Sequence, residues 1–139
     1  MLLDTHVWIW ATDGGATLGP KIRRRLERSH DYTGDRVAIS TASLFEVVAL
    51  HTAGRLRFSM PVERWIRDSI ERGGLQVLDL ERDIAVDAGM IPASALADPI
   101  DRWLVATARE HDRPLVTCDR KMLEYGARTG LVRVVDASR

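Results

Sequence analysis

The sequence predicts an α/β fold: a three-layer α/β/α sandwich in which helices cover both faces of a mainly parallel sheet. Short apolar segments alternate along the chain with longer stretches of helical character, and strands that alternate with helices are typical of parallel sheets. The segment 115–117 has the apolar character of a strand buried on both faces. Since no internal repeat, low-complexity tract or linker interrupts the alternation, one layered sheet accounts for the whole pattern.

Each element has a local signal in the sequence. Predicted strands cover residues 2–3, 37–40, 75–80, 115–117 and 132–135, and predicted helices cover 5–12, 20–28, 41–53, 61–72, 81–90, 98–111 and 120–127. Pro20 stands in the first turn of its helix, where no N–H is needed. Ser40 or Thr41 caps the third helix, and Gly54 ends it, because glycine readily takes the left-handed conformation found after a helix.

Length and composition favour one globular domain over residues 1–139. Hydrophobic residues make up 45% of the chain and charged residues 29%, which excludes a disordered protein. Twenty basic residues balance twenty acidic ones, which excludes a purely electrostatic nucleic-acid binder. With a single cysteine, Cys118, and neither a membrane-length apolar run nor a signal-peptide pattern, we expect a cytoplasmic protein without membrane contacts.

Acidic residues follow two of the predicted strands. Asp4 comes directly after the first strand, and Asp119 comes two residues after Thr117, the last residue of the strand 115–117. The carboxyl ends of parallel strands are where such sheets bind ligands. Each aspartate alone is also typical of a turn or a helix cap, so either position has a structural alternative.

Glu46 lies in the apolar stretch Leu-Phe-Glu-Val-Val-Ala-Leu of the third helix. Its neighbours three and four residues away carry no charge, and a helix that is apolar all round is expected to be buried. An ionised glutamate on such a helix needs a cation or a buried partner. The alternatives are a metal ion, an arginine or backbone amides.

The segment Asp98-Pro99-Ile100-Asp101 opens the sixth predicted helix. Asp98 before proline is a good N-cap candidate. Asp101 shares a helix face with core-like residues such as Leu104 and Val105, so it is the better site candidate, although a carboxylate also favours the first turn of a helix.

Gathered carboxylates point to a hard divalent cation. Two carboxylates about 5 Å apart repel by roughly 3 kcal/mol at an effective dielectric constant near 20, and a cation offsets that repulsion. Oxygen ligands suit Mg²⁺ or Mn²⁺. The histidines His6, His30, His51 and His111 lack zinc-like spacing, and Cys118 has no second cysteine to pair with. Such a metal centre suits phosphodiester hydrolysis by an activated water.

Four segments of the chain resemble the PIN-domain ribonucleases, and in particular the VapC toxins of bacterial toxin–antitoxin pairs. The segments are 2–8 (Leu-Leu-Asp-Thr-His-Val-Trp), 43–47 (Ser-Leu-Phe-Glu-Val), 98–108 (Asp-Pro-Ile-Asp-Arg-Trp-Leu-Val-Ala-Thr-Ala) and 115–119 (Leu-Val-Thr-Cys-Asp). They occur in the order and approximate spacing of that family and together span almost the whole chain.

The resemblance implies an α/β/α sandwich and an endoribonuclease that depends on Mg²⁺ or Mn²⁺. The positions that match the acids of the family, as catalytic residues and metal ligands, are Asp4, Glu46, Asp101 and the more variable Asp119, with Asp98 and Thr117 as further possible ligands. It also implies an RNA substrate, a cognate antitoxin and a homodimer.

Two other classes of protein place acids at the ends of strands. A phosphatase of the haloacid dehalogenase type needs Asp-x-Asp after the first strand, where this chain has Asp4-Thr5-His6. A receiver-like switch with an acidic Mg²⁺ pocket needs a lysine after a late strand, and the two lysines are Lys21 and Lys121. Both classes are disfavoured, and cleavage of RNA separates them from a ribonuclease.

Overall fold

The computed structural model describes residues 1–14, 17–28 and 36–139. His30 therefore lies outside the described residues. Within them the chain forms five strands and seven helices. The strands are β1 (Leu2–Leu3), β2 (Ala38–Ser40), β3 (Gln76–Leu78), β4 (Leu115–Thr117) and β5 (Val134–Asp136). The helices are α1 (Thr5–Thr12), α2 (Pro20–Arg28), α3 (Thr41–Thr52), α4 (Val62–Gly73), α5 (Arg82–Met90), α6 (Pro99–Glu110) and α7 (Arg120–Thr129).

All strand pairs in the sheet are parallel, and the strand order is β3-β2-β1-β4-β5. The order reverses at β1, which pairs with β2 on one side and with β4 on the other. A crevice opens at such a reversal, beyond the carboxyl ends of the two strands. Asp4 follows β1 and Asp119 follows β4, so the topology places both acids at this crevice.

Two apolar clusters cover the two faces of the sheet. Leu3 belongs to the cluster that contains Trp8 of α1 and Trp65 of α4. Leu2 belongs to the cluster that contains Leu104 of α6 and the α7 residue Met122. Successive side chains of a strand point to opposite faces, so this alternation confirms the predicted three-layer sandwich.

The predicted elements are all present, with small differences at their ends. The last strand runs over 134–136 instead of the predicted 132–135. Its register explains the shift, because Val134 pairs with Leu115 and Asp136 with Thr117. The strand predicted over 75–80 covers only residues 76–78, because β2 has three residues and each pairs with one residue of β3.

One prediction about α3 is wrong. The apolar sequence around Glu46 suggested a fully buried helix, but the side chain of Phe45 is 66% exposed and that of Val48 is 38% exposed. Only one side of α3, which includes Val47, packs into the core. The helix therefore carries an apolar surface stripe, which hydrophobic periodicity alone does not distinguish from a buried face.

The tryptophans of α1 lie on different faces, as their spacing of two residues predicts. Trp8 is fully buried and packs on Trp65, with ring centroids 5.0 Å apart. Trp10 is only half-buried and contacts His6. None of the helices in the described ranges has the length and apolar character to cross a membrane.

A candidate active site at the carboxyl ends of β1 and β4

Asp4 occupies the N-cap position of α1, yet its side chain makes no capping hydrogen bond. Its Oδ2 atom instead accepts a hydrogen bond from the hydroxyl of Thr117, at 2.6 Å. The residue is buried, with 7% of its surface exposed, and burial raises the pKa of its carboxyl despite the Thr117 hydrogen bond and the nearby His6, which act in the opposite direction. A carboxyl held in this unfavourable environment without capping the helix is typical of a functional group.

Thr117 connects the ends of β1 and β4. Its hydroxyl donates to Asp4, and the same oxygen accepts from the backbone N–H of Asp119, at 2.9 Å. Because the hydroxyl proton is committed to Asp4, the contacts give Thr117 the role of holding that carboxylate in place. From the sequence, Thr117 was expected only as a further possible ligand.

Glu46 reaches the same crevice from α3. Its Oε2 atom accepts a hydrogen bond of 2.5 Å from the Thr5 hydroxyl. The hydroxyl oxygens of Thr5 and Ser43 are 3.0 Å apart, and both residues are fully buried. Since Thr5 has one hydroxyl proton, which it donates to Glu46, the hydroxyl of Ser43 donates to Thr5. Burial raises the pKa of the Glu46 carboxyl, against the lowering effect of the Thr5 hydrogen bond.

Sequence reasoning missed the partner of Glu46. An arginine, backbone amides or a metal ion were the expected alternatives, whereas the protein partner is Thr5. The signal was available, because Thr5 directly follows Asp4 and begins α1. A hydroxyl in that position faces the same crevice as the acid before it.

Asp98 and Asp101 have different environments, as predicted. Asp98 is exposed and its Oδ1 accepts the N–H of Ile100 at 2.8 Å, which makes it the N-cap of α6. Asp101 is half-buried, and burial raises the pKa of its carboxyl to about 7. The carboxylates of Asp98, Asp119, Asp4 and Glu46 add to this increase in decreasing order.

Asp119 is exposed and caps α7. Its Oδ1 accepts the backbone N–H groups of Lys121 and Met122, at 2.7 and 3.2 Å. The cap that the sequence left open as an alternative is therefore present, and it uses only Oδ1 of the carboxylate. The carboxylate nevertheless faces the crevice closely enough to raise the pKa of both Asp4 and Asp101.

The five acids thus converge, but they do not form a closed cage. Their mutual effects on pKa show that they share one electrostatic environment. In the described parts of the chain, no three carboxylate, imidazole or thiol side chains are close enough to enclose an ion. Mg²⁺ keeps several water molecules and often binds only one or two carboxylates directly, so this open all-oxygen set fits a hydrated divalent cation and does not fit zinc.

His6 is exposed in the first turn of α1, and its electrostatic effect lowers the pKa of both Asp4 and Glu46. Arg102 makes no ion pair with Asp98 or Asp101 among the described residues, and its buried Nε atom has no hydrogen-bond partner there. The Lys121 side chain, which a receiver-like switch would need at its pocket, is exposed in the first turn of α7.

A separate cavity of about 410 Å³ lies between α1, α2 and α4, near the amino ends of the strands. Its walls include Trp8, Leu26, Met60 and Trp65. Asp68 and Arg72 of α4 add polar groups to its lining. The acids described above are absent from the part of the cavity wall formed by described residues.

Comparison with known proteins gives a consistent set of relatives. The PIN domain family profile matches residues 1–127. Ribonuclease VapC22 of Mycobacterium tuberculosis is 30% identical over 125 residues, which cover 90% of this chain and 91% of that protein.

Solved structures share the fold. In the structure of VapBC2 from Rickettsia felis bound to a DNA fragment from their promoter, the matching chain has a TM-score of 0.69, 15% identity and coverage of 97% of this chain and 96% of that one. In VapBC-5 of Mycobacterium tuberculosis, a member of the VapBC family of toxin–antitoxin systems, the matching chain has a TM-score of 0.58, 20% identity and coverage of 99% and 97%.

Proposed function

The chain belongs to the PIN domain family, and from that premise we propose that it is a ribonuclease of the VapC type, the toxin of a toxin–antitoxin pair. The observation that supports this most strongly is the convergence of Asp4, Glu46 and Asp101 at the sheet crevice, each with a raised pKa. A haloacid dehalogenase phosphatase needs a second aspartate where this chain has His6. A receiver-like switch needs a lysine at its pocket, and Lys121 is exposed in the first turn of α7.

The acids are proposed to hold a divalent cation, Mg²⁺ or Mn²⁺. The principal ligand candidates are Asp4, Glu46 and Asp101. Asp119 at the rim of the crevice is a further candidate. Asp98, which caps α6, remains a possible ligand. When bound, the cation supplies an activated water and neutralises charge on the phosphodiester.

The side chains around the acids prepare them for that role. Thr117 fixes Oδ2 of Asp4, and Thr5 fixes Oε2 of Glu46. Both hydroxyls hold their carboxylates in one orientation, so the carboxylates do not have to be ordered when the substrate binds. Because the pKa of Asp101 is about 7, this carboxyl is protonated in a fraction of the molecules at neutral pH. Binding of a cation to Asp101 requires that this proton be released.

We propose a cognate antitoxin as the protein partner, in keeping with the toxin–antitoxin systems of the structural relatives. The cavity between α1, α2 and α4 supports this, because an apolar cleft with polar groups at its edge suits a protruding side chain of a partner. A cytoplasmic location is proposed on the basis of the single, unpaired Cys118.

Homodimer formation is proposed through the exposed stripe of α3. Phe45, Val48 and Ala49 are exposed at the spacing of one helix face, and exposed aromatic residues are typical of interfaces. Phe45→Ser should convert a dimer into a monomer in light scattering, whereas Glu63→Gln, at an exposed position of α4 outside the stripe, should have no effect. A wild-type protein that is already monomeric at all concentrations would contradict this assignment.

Three substrates separate the candidate functions. The wild-type protein is incubated with Mn²⁺ and single-stranded RNA, with p-nitrophenyl phosphate, or with acetyl phosphate as a phosphodonor. A ribonuclease cleaves only the RNA and arrests growth when expressed alone. Turnover of p-nitrophenyl phosphate without RNA cleavage would favour the phosphatase, and stable phosphorylation by acetyl phosphate would favour the receiver-like switch.

A further inference from the structure

We propose that His6 and Trp10 form a stacking platform for a nucleobase of single-stranded RNA at the edge of the acidic site. The proposal rests on the ribonuclease function proposed above and adds to it a residue-level account of how the substrate is held. It assigns a binding role to two side chains that the metal site does not use.

The two rings form a pair on one stripe of α1. They are four residues apart, which places them on the same helix face. Their centroids are 6.2 Å apart and their planes are inclined by 54°. His6 is exposed, while Trp10 rests partly on the core and leaves the rest of its surface open. The buried residues between them, 7–9, fix the orientation of the helix.

The pair is close to the acids. His6 is exposed in the first turn of α1, two residues after the N-cap Asp4, so its ring lies at the edge of the crevice, consistent with its electrostatic effect on Asp4 and Glu46. Trp10 follows one helical turn later, about 6 Å further along the axis of α1. A nucleotide whose phosphate occupies the acidic site therefore has an aromatic surface beside it for a neighbouring base.

Charge favours stacking at this place over contacts with phosphate. Converging carboxylates repel the RNA backbone, so direct contacts with phosphate are unfavourable beside them. Aromatic stacking holds a base through its π-face and not through its charge, unlike phosphate contacts, which weaken steeply as salt rises. A stacking platform centred on Trp10 thus binds RNA beside an acidic cluster through an uncharged ring surface.

Among the described residues, Phe45 is also exposed but belongs to the stripe of α3 proposed above as the dimer interface, and the remaining large aromatic side chains are occupied by packing. Trp8 and Trp65 are buried against each other. Trp103 packs on the small cluster between α5 and α6. Phe58 forms a comparable pair with His51, with centroids 5.7 Å apart, but it also packs on Trp65. The His51–Phe58 pair provides a matched control of the same chemistry outside the acidic site.

The test measures RNA binding separately from cleavage. All proteins carry Asp101→Asn so that RNA is bound without being cut, and fluorescence anisotropy follows a short labelled single-stranded RNA at low and high salt. Trp10→Leu keeps an apolar side chain on the core but removes the ring, and it should raise Kd about tenfold, or ~1.4 kcal/mol, at both salt concentrations. Trp10→Phe should keep most of the affinity, and the control Phe58→Leu should bind as its parent does.

A scan of the RNA with single abasic sites identifies the stacked base. One abasic position should weaken binding to the parent protein and should have no further effect on Trp10→Leu, because the two changes remove the same contact. Equal binding by Trp10→Leu and its parent would overturn the proposal, as would a loss shared equally by Trp10→Phe and Trp10→Leu. Normal RNA binding by Trp10→Leu with lost inhibition by the antitoxin would also overturn it, by assigning the pair to the protein partner.

Failure of this inference is distinguishable from failure of the proposed function. If wild-type protein cleaves RNA while Trp10→Leu binds normally, only the stacking platform is wrong. If wild-type protein neither binds nor cleaves RNA with Mn²⁺ present, both are wrong.

Discussion

Replacing Asp101 by asparagine should stabilise the metal-free protein at alkaline pH. Asparagine keeps the shape of the side chain and removes its charge. Burial and four neighbouring carboxylates raise the pKa of Asp101 to about 7, against a usual value near 3.9. At 1.36 kcal/mol per pKa unit the full effect would be ~4 kcal/mol, and since the side chain is partly exposed, solvent screening reduces the expected gain to about 1–2 kcal/mol.

The gain should depend on pH in a defined direction. The folded state favours the protonated carboxyl, so the stability contributed by Asp101 is fully present below about pH 4 and is lost as pH rises to about 7. Asp101→Asn resembles the protonated form at every pH. Its advantage over the wild type should therefore be absent near pH 4, grow between about pH 4 and 7, and remain constant above that range.

Urea unfolding followed by tryptophan fluorescence measures this difference in the presence of EDTA. The exposed Asp79 provides the control, because Asp79→Asn should change stability little at any pH. Adding Mn²⁺ at pH 8 should stabilise the wild type more than Asp101→Asn, since ligand binding adds to the free energy of unfolding. A stability difference that is the same at pH 4 and pH 8, or an Asp101→Asn protein that is less stable at pH 8, would refute this reasoning.

Three further changes have distinct expected outcomes. Asp98→Ala should lower stability in thermal unfolding by about 1 kcal/mol, because the cap of α6 is lost, and should reduce cleavage only modestly. An Asp98→Ala protein without cleavage activity would instead identify Asp98 as a metal ligand. Thr117→Val should reduce cleavage and cost about 1–3 kcal/mol in urea unfolding, because it leaves Asp4 Oδ2 without its buried donor; unchanged activity would exclude the positioning role. Gly126→Ala should lower Tm strongly without altering the active site, because a Cβ there would lie 2.5 Å from Cγ2 of Val134. An unchanged Tm would show that α7 and β5 can shift apart at little cost.

The sequence predicted the layered fold because each element carries a local signal. The Asp98-Pro99 pair indicates the start of α6, and Asp98 caps it as expected. The alternation of Leu2 and Leu3 between two cores follows from the period of a strand. Strand ends were less accurate, since the length of β5 depends on its register with β4.

The acids were predicted from the sequence, but their partners were not. Position at the end of a strand indicates Asp4, whereas its contact with Thr117 joins residues 113 positions apart in the chain. The same holds for Glu46 and Thr5, which are 41 positions apart. Such contacts arise only from the packing of α1 and α3 across the ends of the strands. The exposed Phe45 illustrates a different limit, because periodicity does not report which apolar face remains uncovered.

RNA cleavage by the wild type and by Asp4→Asn, measured side by side with Mn²⁺ and with EDTA, tests the proposed metal-dependent ribonuclease most directly. We expect the wild type to cleave single-stranded RNA with Mn²⁺ and to stop when EDTA is added. We expect Asp4→Asn to remain folded, with equal or greater stability because carboxylate repulsion is relieved, and to show no cleavage under either condition. Cleavage by Asp4→Asn at the wild-type rate, or wild-type cleavage that persists in EDTA, would contradict the assignment of these acids to a divalent cation.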